Sequence, residues 1–149
     1  MPAKPNTADA TEAEIDALVA AFFACFDNRT HTPDLWALRP LFLADARIFK
    51  ASDTGIDTMT VEAFIAPRQA LFDTGALVDF FEEETTSQTQ IDHGLATRLC
   101  WYRKSGLMHG AVADGVGCKT FQIMKTDDGW KIASITWRDT PATRQEAQK

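Results

Sequence analysis

The sequence predicts an α+β domain, with three helical segments in its first half packed on an antiparallel sheet formed by its second. Three observations carry this. Up to Gly75, apolar residues recur at the i, i+3, i+4 and i+7 spacing of a helix face. From Leu77 onward, β-branched and aromatic residues alternate and are punctuated by turn residues. The chain then closes with its clearest hairpin, Gly117 to Asp139, whose arms flank the four residues Thr126 to Gly129. Helices segregated from strands in this way give α+β rather than a parallel α/β order.

The elements follow in order. Residues 1–10 hold two prolines and no apolar period, and are expected to be a flexible lead-in. Thr11-Glu12-Ala13-Glu14 has the form of a capping box, and Ile15, Leu18, Val19, Phe22, Phe23 and Phe26 place a wide apolar stripe on the helix behind it. Pro33 and Asp34 open a second, shorter helix buried through Leu35, Leu38, Leu41 and Phe42, with Pro40 limiting it. Ala46 to Ala51 is expected as a short strand and Ser52 to Asp57 as a loop. Thr60-Val61-Glu62-Ala63 starts a third helix that stops at Gly75. Four strands follow, Leu77–Thr86, Gln90–Lys104, Cys118–Lys125 and Trp130–Asp139, with turns at Ser87, Ser105-Gly106 and Asp127-Asp128-Gly129. Residues 11–140 form one domain in this reading and 141–149 a tail. In the last strand both alternating faces carry bulky apolar groups, so cover is expected on both sides.

Composition narrows the function. The 149 residues bury a core covering roughly 70% of the unfolded surface, which needs no staple. A net charge of -6 with no basic cluster argues against nucleic acid. Cys25, Cys100 and Cys118 are odd in number and lie in apolar surroundings, as buried free thiols of a reducing compartment do. His31, His93 and His109 lack metal-ligand spacing, so neither metal nor cofactor is expected. No segment resembles a secretory signal or a membrane span, and a cytoplasmic protein is expected.

The amphipathic first helix, the Leu-Phe-Leu-Ala-Asp-Ala-Arg-Ile-Phe run from Leu41 to Phe49, and Asp128-Gly129-Trp130-Lys131-Ile132 together resemble the NTF2-like superfamily, which includes ketosteroid isomerase-like and SnoaL-like proteins. The resemblance spans Glu14 to Asp139. It implies a curved sheet wrapped around the helices as a cystatin-like cone, an apolar pocket at the open end, and a homodimer through the sheet. The family's isomerase residues are not matched. The position that looks like the aspartate base is Lys50, and those of the tyrosine and protonated aspartate donors are Phe22 and Phe121, which cannot donate to an oxyanion. Arg98 and Asp139 supply parts of an epoxide-hydrolase-like Asp-Arg-Asp set, but Leu99, Cys100 and Trp101 put no carboxylate beside Arg98 on its own strand.

Several residues remain as candidates for chemistry. Glu82 and Glu84 share a strand face with Val78 and Phe80, while Glu83 joins Asp79 and Phe81. An inward face would give paired carboxylates in a low dielectric, and an outward one a solvated rim. Arg68, Arg98, Arg103 and Arg138 can pair acids or hold an anion. Trp137 and Asp139 form an aromatic wall with an adjacent carboxylate, although Trp137 equally suits a dimer interface. Gln122 joins Trp137's face if the hairpin pairs regularly, and leaves it if a bulge intervenes. The ligand-binding candidates are thus Arg68, Glu82, Glu84, Gln122, Trp137 and Asp139. His93 and His109 each precede a glycine and have no visible partner, and Cys25 sits among phenylalanines. The leading expectation is a protein that binds a small hydrophobic or carbonyl-bearing molecule in an apolar pocket. The alternatives are an isomerase- or dehydratase-type enzyme with Glu82, Glu84 or Asp139 as base, and a dimeric interaction module.

Overall fold

The computed structural model describes residues 7–140. The expected tail 141–149 and the first six residues of the lead-in lie outside the described residues. Helix α1 spans Thr7–Ala24 and a 3-10 helix Leu35–Leu41. Strands β1 (Phe42–Ser52) and β2 (Gly55–Thr60) precede helix α2 (Val61–Asp73). Strands β3 (Leu77–Asp92), β4 (Leu95–Met108), β5 (Ala111–Val112), β6 (Gly115–Thr126) and β7 (Gly129–Thr140) follow. The helices cover one face of a sheet ordered β2-β1-β7-β6-β4-β3, with β5 paired to β4. The sheet is open, with β2 and β3 at its ends.

This corrects the expected architecture in four places. The sheet is mixed, because β7 returns beside β1 and runs parallel to it. The second helix is a 3-10 helix of 7 residues. Asp34 caps it by accepting from the Trp36 amide at 3.0 Å, and Pro40 lies within its last turn. Helix α1 begins at Thr7, so Thr11 and Glu14 lie inside it rather than at its cap. The stretch read as a loop from Ser52 holds β2, paired along β1 from Arg47↔Thr60 to Ser52↔Gly55.

The turns also move. Strand β3 runs straight through Ser87, and β4 through Ser105-Gly106. The two-residue loops are His93-Gly94 and His109-Gly110, with φ of 45° and 80°, and of 50° and 80°. Two successive positive φ values match the twist of a right-handed hairpin, which accounts for both histidines as turn residues. Gly106 is instead a close-approach site, where an added Cβ would lie 3.1 Å from the Phe80 Cα. At the last hairpin Gly129 has φ 102°, as its sequence position requires.

The core lies between α1 and the inner sheet face. Ile15, Val19, Phe22 and Phe23 of α1 and Phe26 in the turn after it are buried, as their spacing predicts. They meet Ala96, Cys100 and Tyr102 of β4, Phe121 and Ile123 of β6, and Ile132, Ile135 and Trp137 of β7. Phe22 is the centre, edge-on to Phe26 at 5.3 Å and to Phe121 at 5.4 Å. Helix α2 adds Val61, Phe64, Ile65 and Phe72. Gln69 ties it to the 3-10 helix by accepting from the Leu35 amide at 2.7 Å and donating to the Pro33 carbonyl at 2.9 Å.

Of the sheet's register shifts, two decide the facing of residues expected at the site. In β3 a bulge between Val78 and Phe81 puts Asp79 at φ 52°. Leu77 and Phe80 then turn inward and Val78 outward, so Val78 parts from the face of Glu82 and Glu84. Asn28 clamps this bulge, donating to the Leu77 carbonyl at 3.0 Å and accepting from the Phe80 amide at 2.6 Å. In β7 a bulge at Ala133 brings Ile132 onto the same side as Ile135 and Trp137. Replacing Asn28 by Ala leaves two backbone groups of the β3 bulge without partners. A loss of about 2 kcal/mol is expected in urea unfolding, together with faster amide exchange at Phe80.

Candidate functional site

Where the apolar core ends, the inner sheet face and α2 enclose a cavity of about 410 Å³. Its floor is Phe22 and Phe26, and its walls include Phe64, Phe72, Phe80 and Trp137. The polar lining is Lys50 of β1, Arg68 of α2, Glu82 of β3, Lys104 of β4, Lys119 of β6 and Asp139 of β7. Four of these groups are cationic and two anionic, so the cavity carries excess positive charge inside a chain whose net charge is -6.

The two carboxylates are held differently. Asp139 receives the Tyr102 hydroxyl, and the Lys104 ammonium donates to it at 2.9 Å, with Lys50 at 3.8 Å. Burial pushes its carboxyl up, but Lys104, Tyr102 and Lys119 outweigh burial and hold it below the usual carboxylate range. Tyr102 reaches Asp139 across an intervening strand, because the residue of β6 between them is Gly117. An added Cβ there would overlap the Tyr102 hydroxyl and sit 2.5 Å from the Arg138 carbonyl oxygen. Burial, followed by the Asp139 hydrogen bond, raises the phenol's pKa, so Tyr102 is a neutral donor. Among the described residues Glu82 has one cation within ion-pair distance, the Lys119 ammonium at 3.6 Å.

The cations also differ. Lys119 is only 5% exposed, and its Nζ lies 3.9 Å from the Tyr102 ring centroid and 5.2 Å from that of Trp137. Burial lowers its pKa, and Lys104 adds to that, against Glu82 and Asp139. Arg68 donates to the Phe64 carbonyl at 3.0 Å and stacks over the Phe64 ring at 4.0 Å. Among the described residues no carboxylate lies within ion-pair distance of it. Burial lowers its pKa despite Glu82 and Asp139.

Of the six candidates from the sequence, Arg68, Glu82, Trp137 and Asp139 line this one cavity. Glu84 does not. It faces inward further along β3 and grips Arg98 at 2.5 and 3.1 Å, in a groove beside α1. Arg98, 4% exposed, also holds Asp16 at 2.5 Å, so its carboxylates come from β3 and α1 rather than from its own strand. Gln122 lies on the outer face. The Ala133 bulge pairs it with Ser134, and its Oε1 accepts from Thr97 at 2.9 Å. Arg103 pairs with Glu83 and Arg138 with Asp53, both exposed. Cys25 and Cys100 are thiols whose pKa burial raises, which leaves them poor nucleophiles. Lys50, Lys104, Lys119 and Tyr102 were missed as site residues. Their signal was phase, since Lys104 and Lys119 occupy the core-facing positions of strands whose neighbours two residues away are apolar.

Gly117 is the point on which the Tyr102–Asp139 contact turns. Gly117→Ala is expected to cost about 1–3 kcal/mol in denaturant unfolding, because the backbone of β7 must yield as well as a side chain. The Asp139 carboxyl should titrate closer to its ordinary value by NMR in that variant, having lost a donor.

No family model matches the sequence, and no curated protein matches it. Solved structures do. An NTF2-like superfamily protein of Salmonella enterica superposes with a TM-score of 0.74 at 11% identity, over 91% of this chain and 94% of the other. A candidate scytalone dehydratase of Novosphingobium aromaticivorans gives 0.71 at 15% identity, over 88% and 85%. A cystatin-like protein of unknown function from Nostoc punctiforme gives 0.67 at 18% identity, over 94% and 97%. At these identities the likeness is one of fold, and by fold this chain is NTF2-like, in the wider cystatin-like class.

Proposed function

We propose that the protein binds a small organic molecule with a flat apolar body and an anionic group in the cavity between α2 and the inner sheet face. One observation carries this reading. Arg68 projects a guanidinium into an aromatic-walled cavity with no carboxylate of the described residues at ion-pair distance, while the other cations there are at least partly neutralised. A bound carboxylate or enolate would complete its coordination with bidentate geometry. The phenyl walls and Trp137 would take the apolar body. Similar structures named as a candidate scytalone dehydratase and a candidate aromatic ring hydroxylase are in keeping with a small, flat ligand.

A catalytic use of the same cavity rests on Glu82. Asp139 is engaged by Tyr102 and Lys104, and Glu84 points into another groove. Glu82 is therefore the carboxylate placed to take a proton from a ligand against Trp137.

The binding reading is tested with para-methylbenzoate and its amide, followed by tryptophan fluorescence with Trp137→Phe as control. Arg68→Met should weaken the carboxylate about tenfold or more, near 1.4 kcal/mol, and the amide about threefold at most. Equal effects on the two ligands, or no binding of either, would remove the reading.

The outer sheet face supports a homodimer as a further part of the proposal. Leu95 and Met124 are cross-strand neighbours there, with Trp101 further along β4, and all three are exposed. Exposed apolar groups on a sheet face, here flanking the polar Thr97–Gln122 pair, suit an interface between copies. Sedimentation velocity at micromolar concentration should show a dimer that Trp101→Glu converts to monomer. A monomeric parent protein would defeat this part.

A further inference from the structure

Lys119 is the group in the molecule whose placement is hardest to explain by stability alone. It occupies a core-facing position of β6 between Gly117 and Phe121, both buried. An apolar residue there would avoid the cost of desolvating an ammonium. Its Nζ donates no hydrogen bond within 3.5 Å among the described residues, and Glu82 stands off at 3.6 Å. Lys104, by comparison, is committed to Asp139 at 2.9 Å. The Lys119 amine instead opens onto the cavity, above two aromatic rings.

We propose that Lys119 captures a carbonyl-bearing ligand covalently, its Nζ condensing with an aldehyde or ketone carbon in the cavity to form an imine. The inference rests on the binding reading above and names the reactive group of its ligand. The step balances without an oxidant or reductant. Glu82 takes one proton from the ammonium, and the freed lone pair forms the C–N bond while the carbonyl π pair moves to oxygen. A proton passes from nitrogen to that oxygen. Glu82 then returns its proton, the C–O bond breaks, and oxygen leaves as water while nitrogen's lone pair closes the C=N bond. The net change is ammonium plus carbonyl to protonated imine plus water.

The surroundings favour this step. An amine desolvated among apolar groups and next to another cation reacts at lower pH than an exposed lysine. For Lys119 burial acts first and Lys104 assists, while Glu82 and Asp139 oppose. The other groups around the cavity are Lys50 from β1, Arg68 from α2, and Tyr102 with Cys100 from β4. Arg68 and Lys119 both face Trp137, so a flat ligand lying on that ring can present an anion to one and a carbonyl to the other.

The test uses para-formylbenzoate as probe, cyanoborohydride to trap the imine, and peptide mass spectrometry of the full chain. An adduct of the aldehyde's mass less one oxygen is expected on Lys119, exceeding that on any other lysine about tenfold. It should be suppressed by para-methylbenzoate and be absent at this position in Lys119→Arg. Glu82→Gln, which keeps the amine, should slow trapping about tenfold. Adducts spread evenly over the lysines, or undiminished by the competitor, would overturn the proposal. Binding of para-methylbenzoate without any adduct would also overturn it and leave the pocket reading standing. Failure of both compounds to bind or react would remove the two together.

Discussion

Phe22 is the contact on which the remainder depends. It meets Phe23, Phe26, Phe42 and Phe121 edge-on, joining the last turn of α1 to β1 and β6. Each such pair contributes about 0.5–1.5 kcal/mol beyond the area it buries. A shift of α1 would therefore disturb its contacts with Phe42 and Phe121 together. Because Phe22 and Phe26 are also the floor of the cavity, the packing that holds the helix sets the cavity's depth. The same helix carries Asp16 to Arg98 at the far side, so the ion network there is assembled by the apolar seat and does not create it.

The charges of the cavity pose a different balance. Lys119 and Glu82 are taken largely out of water at a separation too long for a hydrogen bond. Desolvation of two such ions costs several kcal/mol each, and their attraction repays that only with good geometry and further hydrogen bonds. Around Asp139 those conditions are met by Tyr102 and Lys104. Around Lys119 and Arg68 they are not, and both groups have their pKa lowered by burial. One region of the sheet thus carries a satisfied polar cluster and an unsatisfied one a strand apart. Fold stability accounts for the first. The second is what the proposed ligand would account for.

Much of the fold was legible because its signals are local. The buried stripe of α1, the cap of α2 at Thr60 and the last hairpin each follow from spacing within a few residues. What was missed depends on contacts far apart in sequence. Val78 was assigned its face by simple alternation and Gln122 was given Trp137's face only for a regular hairpin, and each turns on a bulge whose position depends on a partner strand. The β3 bulge is held by Asn28, some fifty residues away, and no feature of residues 77 to 92 announces it. Strand β2 was lost for another reason. Every residue from Gly55 to Thr58 is exposed, so it shows no apolar alternation to read. Of the cavity residues, Trp137 and Asp139 were found by phase, and the same rule applied to lysines would have found Lys104 and Lys119.

Likeness of fold does not carry likeness of chemistry here, and the reason lies in single inward-facing steps. The positions that resemble the isomerase base and donors are Lys50, Phe22 and Phe121. Phe22 and Phe121 have become core, sealed against each other at 5.4 Å, so the donors of that chemistry have no place to stand. Polar groups reappear one inward step along, at Lys119 on β6, and across the sheet at Lys104 and Asp139. A strand's two-residue period allows this, since moving a function by two residues keeps its face while changing its depth. The cavity thus presents amines and a guanidinium to an aromatic wall. In this chain the inward phase of β6 and β7 carries Lys119 and Asp139 beyond the apolar core.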